Sequence, residues 1–502
     1  MKFKHFAAAL AIIFLAFVSV SAENAYDGYI VRFKDSESAK LAAEYVDSLV
    51  SLYSDESDLD ITAVAEKYNI YRTDSKELVE YFESEELLEY SEPDLIITLY
   101  DSEHDYDYNA DDRFLSQWSH QTTNIQTAWD YGVYGNDVVI AVIDSGVDLT
   151  HPDLAGKILE GYNYVDDNTD VTDILGHGTG VAGVICSGAN GFGTVGAAHR
   201  AKVIPLKVTD EKSFKSSMLA TAVIDIIDKY DVDVINMSFG YTDTTSNPVQ
   251  HRTLSSAVQL AISEGIIVVA AAGNNGADEL SYPASFDGVI SVANLARTSD
   301  GTYFPEPSSQ HNEKVTVIAP GNNVLTTAVG GTYSYVNGTS FSSPYVAAVA
   351  ALAKSVDKDI TPQEFRQLII DTSDKSPLGG AEHSNYFGYG ILDAGALIDT
   401  LIRQKNEYAY ISPVDRRDDG KMVVKFSNLT DAPVSFSLIA QTSSSGRALD
   451  FGVFSKNLAA GDKADADVSV LDGAQFSSVK FFLLNTFTLR PMCEMLESLP
   501  AA

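Results

Sequence analysis

The sequence predicts an α/β fold in which helices cover both faces of a parallel sheet, preceded by a small α+β unit and followed by a small β-sandwich. Between residues 137 and 402, apolar runs alternate with amphipathic segments. These runs are almost continuous in Val and Ile, which is typical of strands buried on both faces. With 502 residues and 45% hydrophobic content, the chain is long enough for two or three domains with cores of their own.

Residues 1–22 predict an export signal. Two lysines precede an apolar stretch from Phe6 to Val18, and Val20 and Ala22 suit signal peptidase. The stretch is too short for a membrane anchor, and no later segment is long and apolar enough to cross a bilayer. We therefore expect a secreted, extracellular protein without a membrane anchor.

Residues 23–100 predict a compact α+β unit, although they are strongly acidic. YIVRFKD and EPDLIITLY are typical of strands, whereas SAKLAAEYVDSLVSLY and DSKELVEYFE carry apolar residues at helical spacing. Two interpretations are open for this unit. It is either an independent N-terminal domain or a segment that serves the domain after it.

Residues 101–402 carry the pattern of the parallel sheet. The predicted strands are DVVIAVI, AKVIPLKV, VDVINMSFG, GIIVVAAAG, GVISVAN and VTVIAP. The predicted helices are SSMLATAVIDIIDKY, TLSSAVQLAISEG and SFSSPYVAAVAALAKS. In such sheets ligands bind beyond the carboxyl ends of the strands, and Asp144 and Asn274 each follow a predicted strand.

Residues 408–490 predict the β-sandwich. The charged stretch RQKNEY reads as a linker, and short strand-like segments separated by turn residues follow it. These segments are MVVKFSN, VSFSLIAQTS, ADADVSVL and SVKFFLLNTF. No motif in this region indicates chemistry.

Four short motifs supply the groups needed to split an acyl bond through a covalent intermediate. They are IAVIDSG around Asp144, GHGTGVAG around His177, AAAGNNG around Asn274 and NGTSFSSP around Ser340. A carboxylate can orient an imidazole, the imidazole can activate a serine hydroxyl, and an amide can stabilise the oxyanion. No motif decides the function alone, but all four in this order point to one site.

The motifs and their order resemble those of the subtilisin-like serine peptidases over roughly residues 117–398. The resemblance implies a triad of Asp144, His177 and Ser340, with Asn274 in the oxyanion hole and no cofactor for catalysis. It also implies that residues 23–100 are an inhibitory prodomain, which is cut off near Tyr100 by the enzyme itself. The chain departs from the family pattern at four positions: Gly180, Phe341, Ser342 and Tyr345. None of these four residues carries the reaction.

The resemblance implies that two segments bind protein or peptide substrates through extended backbone. They comprise Ser238, Phe239, Gly240, Ala271, Ala272 and Gly273. Neutral Asn275 and Ser281 favour a large apolar or aromatic side chain before the cut, whereas Asp278 and Glu279 favour a basic one. Both specificities stay open.

A structural calcium is a further implication of the resemblance. Asp153 in HPDL and Asn190 in GANGFGT match positions that bind calcium in many members, with backbone carbonyls completing an oxygen shell. The alternative is a turn closed by an Asx cap, and the sequence does not choose between them.

The overall composition narrows the partners and the competing functions. A formal net charge of −36 argues against binding to nucleic acid or an anionic membrane. Cys186 and Cys493 either pair or remain thiols. An esterase would place its Ser before Asp and His, which is the opposite of the order here. A binding protein with the peptidase fold but no turnover is the remaining rival, although such proteins usually lose a catalytic residue.

Overall fold

The computed structural model describes residues 26–52, 61–99, 116–211, 213–242, 252–412, 415–416, 422–444, 447–468, 478–486, 490–493 and 495–498. The chain forms two compact units. The first contains residues 1–98, 211–230 and 243–260, and the second contains the remainder. The predicted export signal and the predicted cleavage point near Tyr100 lie outside the described residues.

The described helices follow the amphipathic segments. They are α1 (Ser36–Leu52), α2 (Lys76–Ser84), α3 (Trp118–Thr122), α4 (Ile125–Asp130), α5 (His177–Cys186), α6 (Ser216–Lys229), α7 (Arg252–Ser263), α8 (Thr339–Val356), α9 (Pro362–Thr372) and α10 (Ala394–Lys405). The predicted linker therefore begins inside a helix, because α10 continues through Lys405. Thr361 starts α9 with a capping box to Glu364, and Asp393 caps α10.

The strands of the first 336 residues are β1 (Tyr26–Phe33), β2 (Thr62–Ala65), β3 (Ile70–Thr73), β4 (Leu88–Leu99), β5 (Val139–Asp144), β6 (Tyr162–Asn163), β7 (Lys202–Lys207), β8 (Ser213–Lys215), β9 (Val234–Met237), β10 (Phe239–Thr242), β11 (Ile267–Ala271), β12 (Ser281–Tyr282), β13 (Ile290–Arg297), β14 (Tyr303–Pro305), β15 (Val317–Pro320), β16 (Val324–Ala328) and β17 (Thr332–Val336). The later strands are β18 (Ala409–Ile411), β19 (Asp415–Arg416), β20 (Met422–Asn428), β21 (Val434–Ser444), β22 (Arg447–Leu458), β23 (Lys463–Val468), β24 (Ser478–Asn485) and β25 (Leu496–Ser498).

The first unit contains the expected α+β arrangement. Its strands run antiparallel in the order β4-β1-β3-β2, and β8 pairs with the far end of β4. Val31 and Phe33 on β1 pack with Leu78 and Phe82 of α2 and with Ala42 of α1. Burial of this apolar surface holds both helices to one sheet.

The second unit is built on the predicted parallel sheet. Its strands follow the order β13-β11-β9-β5-β7-β6, with β15 also parallel to β13 and β14 antiparallel at one edge. Every residue of β9 and β11 is buried, as the continuous apolar runs predicted. Strand order reverses between β5 and β9, so the carboxyl ends of these two strands flank the crevice where such sheets bind ligands.

The C-terminal region of the second unit is a β-sandwich. One sheet contains β18, β20, β19 and β23, and the other contains β22, β21, β24 and β25. Phe426 of the first sheet and Phe436 and Phe481 of the second share one buried core. This arrangement confirms the sandwich expected after the main sheet, although β22 was not among the predicted strands.

The two cysteines are not joined by a disulfide. Burial raises the pKa of the Cys186 thiol to about 12, so it is a protonated core group at neutral pH. Among the described residues, no helix is both long and apolar enough to span a membrane.

Candidate active site

Asp144 and His177 meet at the carboxyl end of the central sheet. Asp144 is the last residue of β5, and His177 is the first residue of α5. His177 Nδ1 lies 2.7 Å from Asp144 Oδ1, and the two side chains are only 3% and 1% exposed. A carboxylate at this nitrogen keeps the proton on Nδ1 of the neutral ring, so the basic lone pair is on Nε2.

Two glycines let α5 begin this close to β5. Gly176 precedes the helix with a φ of +88°, in the left-handed region that glycine adopts without strain. A Cβ on Gly178 would lie 2.2 Å from the carbonyl oxygen of Gly146 and 3.1 Å from Asp144 Oδ1. The GHG part of the motif is therefore required by backbone conformation and by close approach.

Ser340 lies in the first turn of α8, and the residue after it contacts the imidazole. Its side chain is fully buried, and Ser340 Oγ has no hydrogen-bond partner among the described residues. The neighbouring Phe341 ring contacts the His177 ring at a centroid distance of 5.3 Å. The first N–H groups of a helix have no partner within it, so the backbone at Ser340 offers donors to a negative charge.

Ser238 holds the backbone of Ser340. Pro344 stands four residues later in α8 and has no N–H, so it cannot donate the usual helical hydrogen bond to the Ser340 carbonyl. Ser238 Oγ donates to that carbonyl instead, at 2.8 Å, and receives a hydrogen bond from Asn236 Nδ2 at 2.9 Å. The sequence motif contained a signal for this contact, because a proline at this spacing orphans the serine carbonyl.

Asn274 is oriented by Thr339, a residue for which no role was predicted. Asn274 Oδ1 accepts hydrogen bonds from Thr339 N and from Thr339 Oγ1, both at 3.0 Å. The buried Nδ2 group has no partner among the described residues. Its two N–H donors are therefore available to an incoming oxygen at the start of α8.

The predicted substrate-binding segments lie beside these groups, but part of their backbone is already hydrogen-bonded. Gly273 N donates to Thr339 Oγ1 and Gly273 O accepts from Gln310 N, while Ala272 N donates to Val292 O. Phe239 is fully buried in β10. Peptide binding by residues 238–240 and 271–273 stays a prediction, and any strand pairing at 271–273 must use the remaining backbone groups.

The residues that bear on specificity differ in how far they are exposed to solvent. Ser281 is buried in β12, whereas Asn275, Asp278 and Glu279 are exposed. The backbone oxygen of Glu279 accepts from Gln310 Nε2 and Asn312 Nδ2, which fixes this turn. Both specificity alternatives remain open.

Asp153 and Asn190 lie together, but the groups that contact the Asp153 carboxylate are N–H donors. Asp153 Oδ1 accepts from Asn190 Nδ2 at 2.9 Å, and Asp153 Oδ2 accepts from Thr194 N at 2.8 Å. These two donors occupy one acceptor position on each oxygen of the carboxylate. Within the described part of the chain, no group of three His, Cys, Asp or Glu side chains is arranged to hold a metal. Asn190 Oδ1 accepts from Phe192 N at 3.3 Å, as in an Asx turn, whereas the donors on Asp153 come from remote residues. Calcium binding and the capped turn both stay open.

Comparison with known proteins gives one family. The model of the subtilase family matches residues 135–390. A thermophilic serine proteinase of Bacillus sp. (strain AK1) is 34% identical over 368 residues, which are 73% of this chain and 85% of the relative. The M-protease of Shouchella clausii (strain KSM-K16) is 29% identical over 395 residues, or 77% of this chain and 95% of the relative.

A solved structure supports the fold over almost the whole chain. Fervidolysin from Fervidobacterium pennivorans, described as a keratinolytic enzyme related to subtilisin, superimposes with a TM-score of 0.64. The match covers 96% of this chain and 77% of that chain at 21% identity, so it bears on the fold alone.

Proposed function

The chain belongs to the subtilase family of serine endopeptidases, and on that premise we propose that it is an exported enzyme that cleaves peptide bonds through an acyl-enzyme formed on Ser340. The main support for this proposal is the arrangement of three residues. The buried hydrogen bond between Asp144 and His177 lies beside the helix start that contains Ser340. These are the groups that nucleophilic catalysis by a serine requires.

In the first step, His177 Nε2 takes the proton of Ser340 Oγ as that oxygen bonds to the carbonyl carbon of the substrate. The carbonyl π electrons move onto the oxygen, which becomes an oxyanion. Asp144 stabilises the imidazolium that forms, because its carboxylate accepts a hydrogen bond from the Nδ1–H group, with Nδ1 2.7 Å from Oδ1. No cofactor takes part in this sequence of bonds.

The oxyanion is stabilised by Asn274 Nδ2 and by the backbone N–H of Ser340. Thr339 anchors the amide oxygen of Asn274, so the amide nitrogen is already oriented before substrate arrives. Collapse of the intermediate breaks the C–N bond, and His177 gives its proton to the leaving amine. A water molecule then repeats the sequence and releases the acid, which restores Ser340.

We also propose that residues 23–100 are the inhibitory prodomain of a self-processed precursor. Two buried carboxylates on β4 support this role by capping two helices that lie far along the chain. Glu92 accepts the backbone N–H groups of Arg252 and Thr253 at the start of α7. Asp94 accepts from Ser217 N at 2.8 Å at the start of α6. Such contacts stabilise a helix N-terminus, so this segment is suited to assist folding.

We propose three further segments: an export signal at residues 1–22, a catalytic domain at 101–402 and a C-terminal β-sandwich at 408–490. Protein substrates and the chain's own prodomain are the proposed partners. Export without a membrane anchor is the proposed localisation.

One comparison of variants tests these proposals. The parent, Ser340→Ala and Ser342→Ala are exported from a host without other proteases, and their sizes, casein hydrolysis and labelling by a fluorophosphonate are measured. Ser342 is the matched control, since it is buried in the same turn and its hydroxyl has no partner among the described residues. We expect the parent and Ser342→Ala to lose the segment up to about Tyr100 and to cleave casein, and Ser340→Ala to do neither.

The other outcomes separate the two proposals. Full-length forms of all three proteins, without casein hydrolysis or labelling, would support a binding protein with the peptidase fold. A parent that cleaves casein but keeps its N-terminal segment would leave the endopeptidase intact and would exclude self-processing.

A further inference from the structure

Asp173 is a buried carboxylate near the proposed triad but is not a member of it. Asp173 lies in the turn before α5, four residues ahead of His177, and is 5% exposed. Among the described residues, no group of three His, Cys, Asp or Glu side chains that could hold a metal includes Asp173. An ionised carboxylate at such a burial needs hydrogen bonds or a counter-charge to offset the loss of water.

Five donors surround this carboxylate. Asp173 Oδ1 accepts from Ser145 Oγ at 2.9 Å and from the backbone N–H groups of Leu175 and Gly176 at 3.0 and 2.8 Å. Asp173 Oδ2 accepts from Thr179 N at 2.9 Å and Thr179 Oγ1 at 2.6 Å. The set matches an ionised carboxylate, which only accepts hydrogen bonds. The contact with Asp173 also gives a reason for the threonine in GHGT, two residues after the histidine.

These contacts join the two members of the Asp–His pair. Ser145 N donates to Asp144 Oδ1 at 2.8 Å, and Gly178 N donates to Ser145 Oγ at 3.0 Å. Ser145 thus links the end of β5 to the first turn of α5, and Asp173 holds both Ser145 and that turn. The opposite side of α5 is held by Thr327 Oγ1, which donates to the Thr179 carbonyl at 2.7 Å.

We propose that Asp173 is a positioning residue that sets the alignment of His177 with Asp144, and through it the transfer of the Ser340 proton. This inference rests on the proposed function. Proton transfer depends steeply on geometry, and a misplacement of about 1 Å can cost roughly a hundredfold in rate. The hydrogen-bond partners of Asp173 lie outside the predicted substrate segments 238–240 and 271–273, so we expect its loss to lower kcat and to leave KM unchanged.

The test uses the mature enzyme and counts active sites by titration, so that kcat is expressed per reactive serine. Asp173→Asn keeps one acceptor oxygen but replaces the other with an N–H donor that faces Thr179. We expect kcat to fall at least tenfold with KM within twofold of the parent. Asp170→Asn is the matched control, because Asp170 closes an exposed turn three residues earlier through Thr172 N and Thr172 Oγ1. We expect its kcat to equal that of the parent.

A second variant keeps the inference testable if Asp173→Asn does not accumulate. Ser145→Ala removes the hydroxyl that donates to Asp173 and accepts from Gly178 N, but keeps the other four donors on Asp173, and we expect a fall in kcat that is smaller than for Asp173→Asn. Unchanged kcat per titrated site in either folded variant, with a lower Tm alone, would overturn the positioning role. An inactive parent would instead contradict the proposed function, which keeps the two failures distinct.

Discussion

Ser238→Ala tests whether the proline in α8 makes the serine carbonyl dependent on a side chain from another strand end. Ser238 Oγ donates to the carbonyl of Ser340 at 2.8 Å, and both residues are fully buried. Because Pro344 has no N–H to replace it, removal of this hydroxyl takes a donor from the carbonyl, and Ser343 Oγ loses a hydrogen-bond contact at 3.1 Å. Asn236 Nδ2 loses its acceptor at the same time.

The expected cost follows from the burial of these groups. A buried polar group that loses its only partner destabilises a protein by about 1–3 kcal/mol. We therefore expect Ser238→Ala to lower the free energy of unfolding by about 2 kcal/mol, and to lower Tm by a few degrees. The measurement is made in the Ser340→Ala background, which keeps the carbonyl and prevents self-digestion.

A double-mutant cycle with Pro344→Ala isolates this contact. Alanine at position 344 supplies an N–H at the correct helical spacing, so the Ser340 carbonyl no longer depends on Ser238. Calorimetry on the four proteins should give a cost of Ser238→Ala that falls to less than half in the Pro344→Ala background. Equal costs in both backgrounds would refute the reasoning, because the carbonyl would then not be the group that Ser238 stabilises.

Three further predictions concern the oxyanion donor, acid stability and calcium. Thr339→Ala removes one of two donors that orient Asn274, so kcat should fall about tenfold, the equivalent of about 1.4 kcal/mol, with KM unchanged. Steady-state kinetics with Ser342→Ala as the control checks this prediction, and an unchanged kcat would contradict it. Burial lowers the pKa of His120 to about 4, whereas its unfolded value is near 6.5. The unfolded chain therefore binds the proton first, and about 3 kcal/mol of the free energy of unfolding that is present above pH 6.5 is lost as pH falls towards 4. Tm measured against pH should therefore fall less steeply over this window in His120→Gln than in the parent, and parallel curves would exclude His120 as the cause. Calcium binding at Asp153 predicts a higher Tm in millimolar calcium than in EGTA, and a loss of that difference in Asp153→Asn. Equal Tm in both solutions would contradict the metal site.

The main sheet could be predicted because its strands are buried on both faces. Runs such as GIIVVAAAG contain no polar residue to confuse the pattern, and β11 lies inside that run. The helix predicted from Ser216 to Tyr230 ends within one residue of α6. The hairpin of β16 and β17 was not predicted, although its turn carries the adjacent glycines Gly330 and Gly331, which have φ values of +78° and +70°.

The supporting contacts of the site could not be predicted, because they join residues that are remote in sequence. Ser145 and Asp173 are 28 residues apart, and Ser238 lies 102 residues from the carbonyl that it holds. No local pattern specifies which buried hydroxyl meets which carboxylate or carbonyl. Pro344 is the exception, since its position alone indicates that Ser340 O needs another donor.

The identity of the nucleophile is tested most directly by locating a covalent adduct on the protein. The purified enzyme is treated with a phosphonate that bonds to activated serines, digested, and analysed by mass spectrometry alongside His177→Ala and Ser342→Ala. We expect one adduct, on Ser340, at full occupancy in the parent and in Ser342→Ala and strongly reduced in His177→Ala. An adduct on another serine, or equal labelling of Ser340 without the imidazole, would contradict it.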